Sequence, residues 1–440
     1  SFPIQSIPKN VTVKFENTRV PAVKINKTVN GTDTEKAAEF TFNLTGLQDI
    51  YGNAVSSVTL NGTDNNTVTL YIPYSASAAF TVEEVTKDGF RLTSLTGDGG
   101  KISDNKISFT NVSSDKEISF TNTKVYTVTV KKTVNGPSSE TKTFTFTGTG
   151  FVDVDGNAVT LEGLAVAGGS TASKEYPNIA YGTTFTIKEN AVDNYVLTKI
   201  LVNGEEVTIS NLGTTISEIK KDTVIEFVNT RVYTVTVKKD LIDLEDVSNQ
   251  FTFTPSGLVN VDNETVAAQT ATVKVGTQYV WTIENIPYNT SFSITESGEA
   301  DVLARYDTTV KVGDEAAADG YVAAVDKISA DTVIVFTNTV KTYSVTVNKT
   351  SKAPAADQTN DSFDFTSTDV NLITVNGDGT VTYSTSGTGF SLKHGETHKI
   401  SGIPYGTEIE IQEADKTGYV LTDITGTDGG TKIGAPTNGY

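Results

Sequence analysis

Val128–Gly136 reads VTVKKTVNG. Its apolar residues alternate with polar ones at a period of two, the pattern of a half-buried strand, and Asn135-Gly136 is a turn signal. The same stretch stands at Val23 as VKINKTVNG, at Val235 as VTVKKDL and at Val345 as VTVNKT. Internal repetition of this kind decides the architecture before any single element does. The lysines Lys27, Lys132, Lys239 and Lys349 recur at intervals of 105, 107 and 110 residues. An F-x-F pair follows each: Phe40/Phe42, Phe144/Phe146, Phe251/Phe253 and Phe363/Phe365. Next comes an I-x-Y element (Ile72/Tyr74, Ile179/Tyr181, Ile286/Tyr288, Ile403/Tyr405), leading into FTVEE, FTIKE, FSITE or EIEIQE. The first three repeats close with ISFTNT, IEFVNT and IVFTNT, ending at Thr123, Thr230 and Thr339.

Alternation, abundant Thr and Val, and Gly or Asn-Gly breaks predict short antiparallel strands, with no sustained helical period. Units of this length with several strands each predict an all-β chain of four tandem immunoglobulin-like β-sandwiches. The period is too long for a solenoid. The expected boundaries are an N-terminal strand at 1–20, then sandwiches at 21–124, 125–231, 232–340 and 341–440, the last without its closing strand.

Composition narrows the function. The 440 residues carry 53 acidic against 34 basic side chains, a formal charge of −19, which argues against nucleic acid or an anionic membrane surface as partner. No run of about 18 apolar residues is present, so no membrane insertion is expected. The first residues lack the basic-then-apolar pattern of a secretion signal, which is therefore expected to be removed or to lie outside this chain. Cysteine and methionine are both absent. Disulfides and cysteine-ligated zinc are thereby excluded, and the lack of oxidisable sulfur suits an exposed, oxidising place.

Strand parity then singles out three polar residues per repeat, because side chains two apart share a face. Lys27 continues the row Val23/Ile25, Lys132 the row Val128/Val130, Lys239 the row Val235/Val237, and Lys349 the row Val345/Val347. The closing strands give Ile118/Phe120/Asn122, Ile225/Phe227/Asn229 and Ile334/Phe336/Asn338. The strand between gives Phe80/Val82/Glu84, Phe185/Ile187/Glu189, Phe292/Ile294/Glu296 and Ile409/Ile411/Glu413. One Lys, one Glu and one Asn thus point inward at fixed positions, where an unpaired charge costs several kcal/mol. Burial lowers a lysine pKa and raises a glutamate's. A neutral amine beside a protonated carboxylic acid is equipped to attack a carboxamide carbon. The lysine is the nucleophile, the asparagine the electrophile, and the glutamic acid the proton shuttle as ammonia leaves. The product is a Lys–Asn isopeptide bond between the first and last strands.

Early Lys, Glu in the I-x-E strand and Asn in the F-x-N-T strand together resemble the Cna B-type domains of Gram-positive surface adhesins and pilins. The likeness covers nearly the whole chain. It implies the cross-links Lys27–Asn122 with Glu84, Lys132–Asn229 with Glu189, and Lys239–Asn338 with Glu296.

The fourth repeat has Lys349 and Glu413 but reaches Tyr440 without a closing strand, whereas VTVKFENT in the first twenty residues aligns Val13, Phe15 and Asn17 on one face. Glu-to-Asn separations run 38, 40 and 42 residues, and joining Tyr440 to Ser1 gives 44. Four sandwiches in a row would hold these ends roughly 100 Å apart, given strands of about 20 Å plus loops. Residues 1–20 are therefore expected to complete the fourth sandwich of a neighbouring subunit by strand donation, Asn17 bonding to the neighbour's Lys349 beside Glu413. A head-to-tail contact of this kind does not close and builds a filament.

The expected function is a structural subunit of an extracellular, pilus-like cell-surface filament whose partner is itself. The alternative is the stalk of an adhesin that binds a host or matrix ligand. Each Glu acts once, so this is no turnover enzyme, and no cofactor or metal is called for. His394, Glu396 and His398 read as a solvated loop rather than a metal site. No nucleotide-binding loop or Ser-His-Asp arrangement is present.

Overall fold

The computed structural model describes residues 1–73, 79–376, 380–428 and 431–433. Strands dominate. The helices among the described residues are three short ones, Asp33–Lys36, Ala300–Arg305 and Ala355–Asn360. The chain divides into two compact units, Ser1–Arg231 and Val232–Tyr440.

In the first unit, the opening strand Ala22–Asn30 lies between Thr67–Tyr71 and the first half of Lys116–Asn135, which in turn pairs with Phe90–Gly97. A second sheet carries Phe40–Thr45 and Phe80–Glu84 at its centre. The inward rows of the two sheets, including Val23, Ile25, Phe42, Val82, Ile118 and Phe120, form one buried core. The next sandwich repeats the plan. The second half of Lys116–Asn135 is its opening strand, placed between Thr171–Ala180 and the Thr223–Ile242 strand, and Tyr195–Val202 follows. Its facing sheet holds Phe146–Thr149 against Phe185–Glu189.

In the second unit, the part of Thr223–Ile242 beyond Arg231 opens another sandwich, flanked by Tyr279–Pro287 and the closing strand Thr332–Val340, with Tyr306–Val312 beyond. Ser248–Ser256 and Phe292–Gly298 face it. In the remaining stretch, Thr342–Asn348 pairs with Thr397–Pro404, and Ser362–Ser367 lies between Gly389–Lys393 and Ile411–Glu413. Its core is smaller, centred on Phe363, Phe365 and Leu392.

Two expectations need correction. Opening and closing strands pair in parallel, not antiparallel. In the first two sandwiches the Asn-Thr motif does not end its strand: Lys116–Asn135 and Thr223–Ile242 each run 20 residues, closing one sandwich and opening the next, whereas Thr332–Val340 stops one residue beyond it. Alternation that continues through Tyr126 and Tyr233 gives the backbone no reason to leave the sheet. The VTVKFENT segment forms no strand. Residues 1–20 are exposed and outside any ladder. The Ile72/Tyr74 element is only partly visible, since Tyr74 lies outside the described residues.

Each F-x-F strand of the first three sandwiches ends on a glycine with left-handed backbone: Gly46 (φ 76°), Gly150 (φ 74°) and Gly257 (φ 73°). At Gly257 a Cβ would also stand 2.9 Å from the carbonyl oxygen of Ser291, at the entry to the Glu296 strand. This glycine permits the tight return that sets the register of the two strands. Gly257→Ala is expected to destabilise its sandwich by about 1–3 kcal/mol in urea unfolding, whereas Gly276→Ala, at φ 75° with open space around it, loses only the conformational part of that. Equal effects would show that the close approach is relieved.

Candidate functional site

Three sites follow from the register of four strands. The glutamate sits opposite the second Phe of the F-x-F pair: Glu84 opposite Phe42, Glu189 opposite Phe146, Glu296 opposite Phe253. The lysine sits opposite the closing-strand Phe, and the asparagine two residues further along: Lys27/Phe120, Lys132/Phe227 and Lys239/Phe336. Identical registers bring the three side chains together in each core, and all nine are buried.

In the first site, Lys27 Nζ donates to Glu84 Oε2 at 2.9 Å and to Asn122 Oδ1, while Asn122 Nδ2 donates to Glu84 Oε1 at 2.6 Å. In the second, Lys132 Nζ is 3.2 Å from Glu189 Oε2 and 2.7 Å from Asn229 Oδ1, and Asn229 Nδ2 donates to Glu189 Oε1 at 2.6 Å. In the third, Lys239 Nζ is 3.4 Å from Glu296 Oε2, and Asn338 Nδ2 donates to Glu296 Oε1 at 2.8 Å. There Nζ also donates to the Asp240 carbonyl, and Asn338 Oδ1 accepts no bond.

One member of each site escapes the parity argument. The first Phe of the F-x-F pair forms its floor: the ammonium lies 4.0 Å from the Phe40 ring centroid, 4.4 Å from Phe144 and 4.6 Å from Phe251. The F-x-F pair recurring 12 to 14 residues after each Lys was its signal in the sequence. The second Phe packs on the closing-strand ring, at 4.9 Å for Phe42/Phe120, 5.1 Å for Phe146/Phe227 and 5.4 Å for Phe253/Phe336. That contact pins the closing strand, and with it the asparagine.

Burial pulls Lys27, Lys132 and Lys239 each down to about 8, against the opposing pull of the neighbouring glutamate. Burial also raises Glu189 and Glu296, again against the lysine. Passing one proton from lysine to glutamate turns a buried ion pair into a neutral pair, which the apolar surroundings favour. A lysine near 8 is a free amine about 300 times more often at pH 7 than one at 10.5. The free amine faces the carboxamide. Turning that carboxamide over would aim its oxygen at the protonated Glu, which would then polarise it and return a proton to departing ammonia.

The fourth stretch is partial. Lys349 Nζ donates to Glu413 Oε1 at 2.6 Å and lies 4.0 Å from the Phe363 centroid, with Glu413 opposite Phe365. No asparagine joins them among the described residues. Asn17 lies in the exposed N-terminal segment. The two histidines are not simply solvated: His394 Nδ1 accepts from the Ser351 amide at 2.9 Å, and His398 stacks on Phe390 with centroids 4.0 Å apart. Among the described residues no group of three potential ligands could hold a metal. Among the described residues no helix is long and apolar enough to cross a membrane.

The model of a domain of unknown function (DUF5979) matches residues 128–234 and 235–341, and that of another (DUF7601) matches 336–438. None of the curated proteins matches in sequence. Similar solved structures include the TIE protein of Bacillus anthracis, at 13% identity over 97% of this chain and 74% of that one, with a TM-score of 0.34. The major pilin of Streptococcus pyogenes matches at 19% identity over 49% and 98%, with a TM-score of 0.19. Two B repeat units of the collagen binding protein (CNA) of Staphylococcus aureus match at 13% over 93% and 96%, with a TM-score of 0.20.

Because the neutral pair holds the same number of protons as the ion pair, ammonia loss during refolding at set pH should be level just below pH 8 and fall about tenfold per pH unit above it, once the shared proton is lost. It should fall again in acid, where lysine and glutamic acid are both protonated. Intact mass against time measures it, and a rate still rising tenfold per unit above pH 8 would contradict the shared-proton mechanism.

Proposed function

We propose that this chain is a structural subunit of an extracellular, pilus-like surface filament, hardened by bonds it forms in itself. Each of three sandwiches carries one Lys–Asn amide: Lys27–Asn122, Lys132–Asn229 and Lys239–Asn338. Glu84, Glu189 and Glu296 each act once and are not regenerated for a second substrate. Subunits join head-to-tail when residues 1–20 of one complete the fourth sandwich of the next. The filament is a homopolymer and needs no cofactor.

The observation that carries this reading is the recurrence of one arrangement, lysine over a Phe ring, against a carboxylate and a carboxamide, at the same strand registers in three cores. A network serving only to hold a core together would be replaced by apolar residues at little cost. Three copies held in register fit a chemical use. By chain-entropy arithmetic, a cross-link closing about 100 residues stabilises by roughly 4.7 kcal/mol. A cysteine-free chain has no disulfide to supply that.

The intact mass of the chain is expected to fall short of its sequence by three ammonias. Glu84→Ala, Glu189→Ala and Glu296→Ala should each restore one, and tandem spectra should place the links. Full sequence mass in the folded protein would end the proposal. Assembled chains boiled in detergent should run as a ladder of multiples, whereas an adhesin stalk with the same internal bonds would stay monomeric.

A further inference from the structure

In the three complete sandwiches the closing strand lies between the opening strand, which it meets in parallel, and the strand before it, which it meets antiparallel. In the fourth stretch Thr342–Asn348 gives one wall of such a slot, and residues 419–424, which would give the other, join no ladder among the described residues. Thr342–Asn348 pairs on one side only, with Thr397–Pro404. Residues 419–424 read YVLTDI where the second sandwich has YVLTKI at 195–200. In the second sandwich Leu197 and Ile200 are buried beneath the closing strand. Their counterparts Leu421 and Ile424 are exposed at 39% and 44%, and Val420 at 73%. Phe365 stacks on Phe390 and has no closing-strand ring. Among the described residues Lys349 and Glu413 have no carboxamide, and the buried Ser351 hydroxyl has no partner.

Residues 11–20 supply what is missing. Val11, Val13 and Phe15 are exposed, Phe15 at 77%. Asn17-Thr18-Arg19-Val20 is identical to Asn229-Thr230-Arg231-Val232 of the second sandwich. There Arg231 lies opposite Tyr195, its guanidinium 5.5 Å from the ring, and both donate to Glu140 Oε2, at 3.2 and 2.9 Å. The fourth stretch has a related pair: Tyr419 donates to Asp361 Oδ2 at 2.6 Å and packs on Phe363 with centroids 5.0 Å apart, while Lys416 already lies 3.4 Å from Asp361 Oδ1.

We propose that this slot is a peptide-ligating site for residues 11–19 of a second copy, selected by the Tyr419–Asp361 receptor for Arg19. This rests on the filament reading and assigns its junction. Phe15 lies opposite Lys349 and Ile424 and packs on Phe365, and Asn17 lies opposite Ser351 and Leu421. Arg19 covers Tyr419 with its charge on Asp361. In the covalent step Lys349 Nζ attacks Cγ of Asn17, the new C–N bond replaces the Cγ–Nδ2 bond, and ammonia leaves. Glu413 carries the proton from the amine to the leaving nitrogen, so no oxidant or reductant is needed. The occupant committed to is a second copy, whose residues 11–20 carry the Asn-Thr-Arg-Val run of the second sandwich and stand exposed outside any ladder.

The test uses full-length Asn17→Ala chain, whose own segment cannot react, with a synthetic peptide of residues 9–20. One peptide is expected per chain, at the summed mass less one ammonia, with tandem spectra placing the link at Lys349. Lys349→Ala and Glu413→Gln chains should capture none while retaining their three internal losses, which reports folding. The peptide with Asn17→Ala should not be captured. The peptide with Arg19→Ala should be captured about tenfold more slowly, the loss expected of one charge-assisted aromatic contact. Failure to capture by a chain that has lost its three internal ammonias overturns this site and leaves the filament's internal bonds standing. Full sequence mass instead overturns the reading beneath it. Equal rates for both arginine forms overturn the selection. A native monomer already four ammonias light would show that the occupant is the chain's own segment.

Discussion

A lysine ammonium enclosed within 2.9–3.4 Å of a carboxylate, over an aromatic ring and out of reach of water, is the constraint on which each core depends. Removing either partner would strand a buried charge, at about 3–5 kcal/mol. Strand register is therefore fixed with unusual strictness. A one-residue slip would turn the lysine to solvent and leave the glutamate alone inside. The F-x-F pair serves both needs, its first ring taking the ammonium and its second seating the closing strand. The same confinement that makes the charged state expensive makes the neutral, reactive state accessible.

The fourth stretch shows by contrast what a closing strand contributes. Its opening strand, its F-x-F strand and its glutamate strand form with the registers of the others, and the lysine meets the glutamate. What fails is the segment beyond Tyr419. It has nearly the sequence of Tyr195–Val202, yet it joins no ladder before Gly426 and leaves its apolar residues exposed. A strand flanked by the closing strand has nothing to pair with in its absence, whatever its propensity. Residues 1–20, whose alternation is as regular as that of Ile118–Asn122, likewise form no strand here.

Much of this was legible in the sequence because a period of two assigns faces without further information. Parity alone aimed Lys27, Glu84 and Asn122 inward, and the fixed spacings said that they belong to one unit. Parity carries no information about strand direction, so the parallel pairing of Ala22–Asn30 with Lys116–Asn135 was out of reach. Nor does it say where a strand stops: Asn122-Thr123 looked like an ending because the repeat ended there, while the alternation ran on. The phenylalanine floor was visible as a spacing but not as a contact, and the arginine–tyrosine pair joins residues 36 positions apart that no local pattern connects. The histidines show the same limit, since His394 finds its partner at Ser351 through a loop closure that sequence order hides.

Continuity of the strands gives the proposed bonds their mechanical meaning. Asn122 and Lys132 lie on one strand, and so do Asn229 and Lys239. With the amides in place, a covalent path enters at Lys27, crosses to Asn122, follows that strand to Lys132 and crosses to Asn229. From there it follows the next strand to Lys239 and leaves at Asn338. Tension along this path bypasses the roughly 100 residues looped within each sandwich. The sheets then carry no load, and their hydrogen bonds need only hold the reacting groups together until the amide has formed. A disulfide at the same places would tie the same strands but yield to reduction. An amide does not, so a cysteine-free chain can be both strong and indifferent to redox conditions.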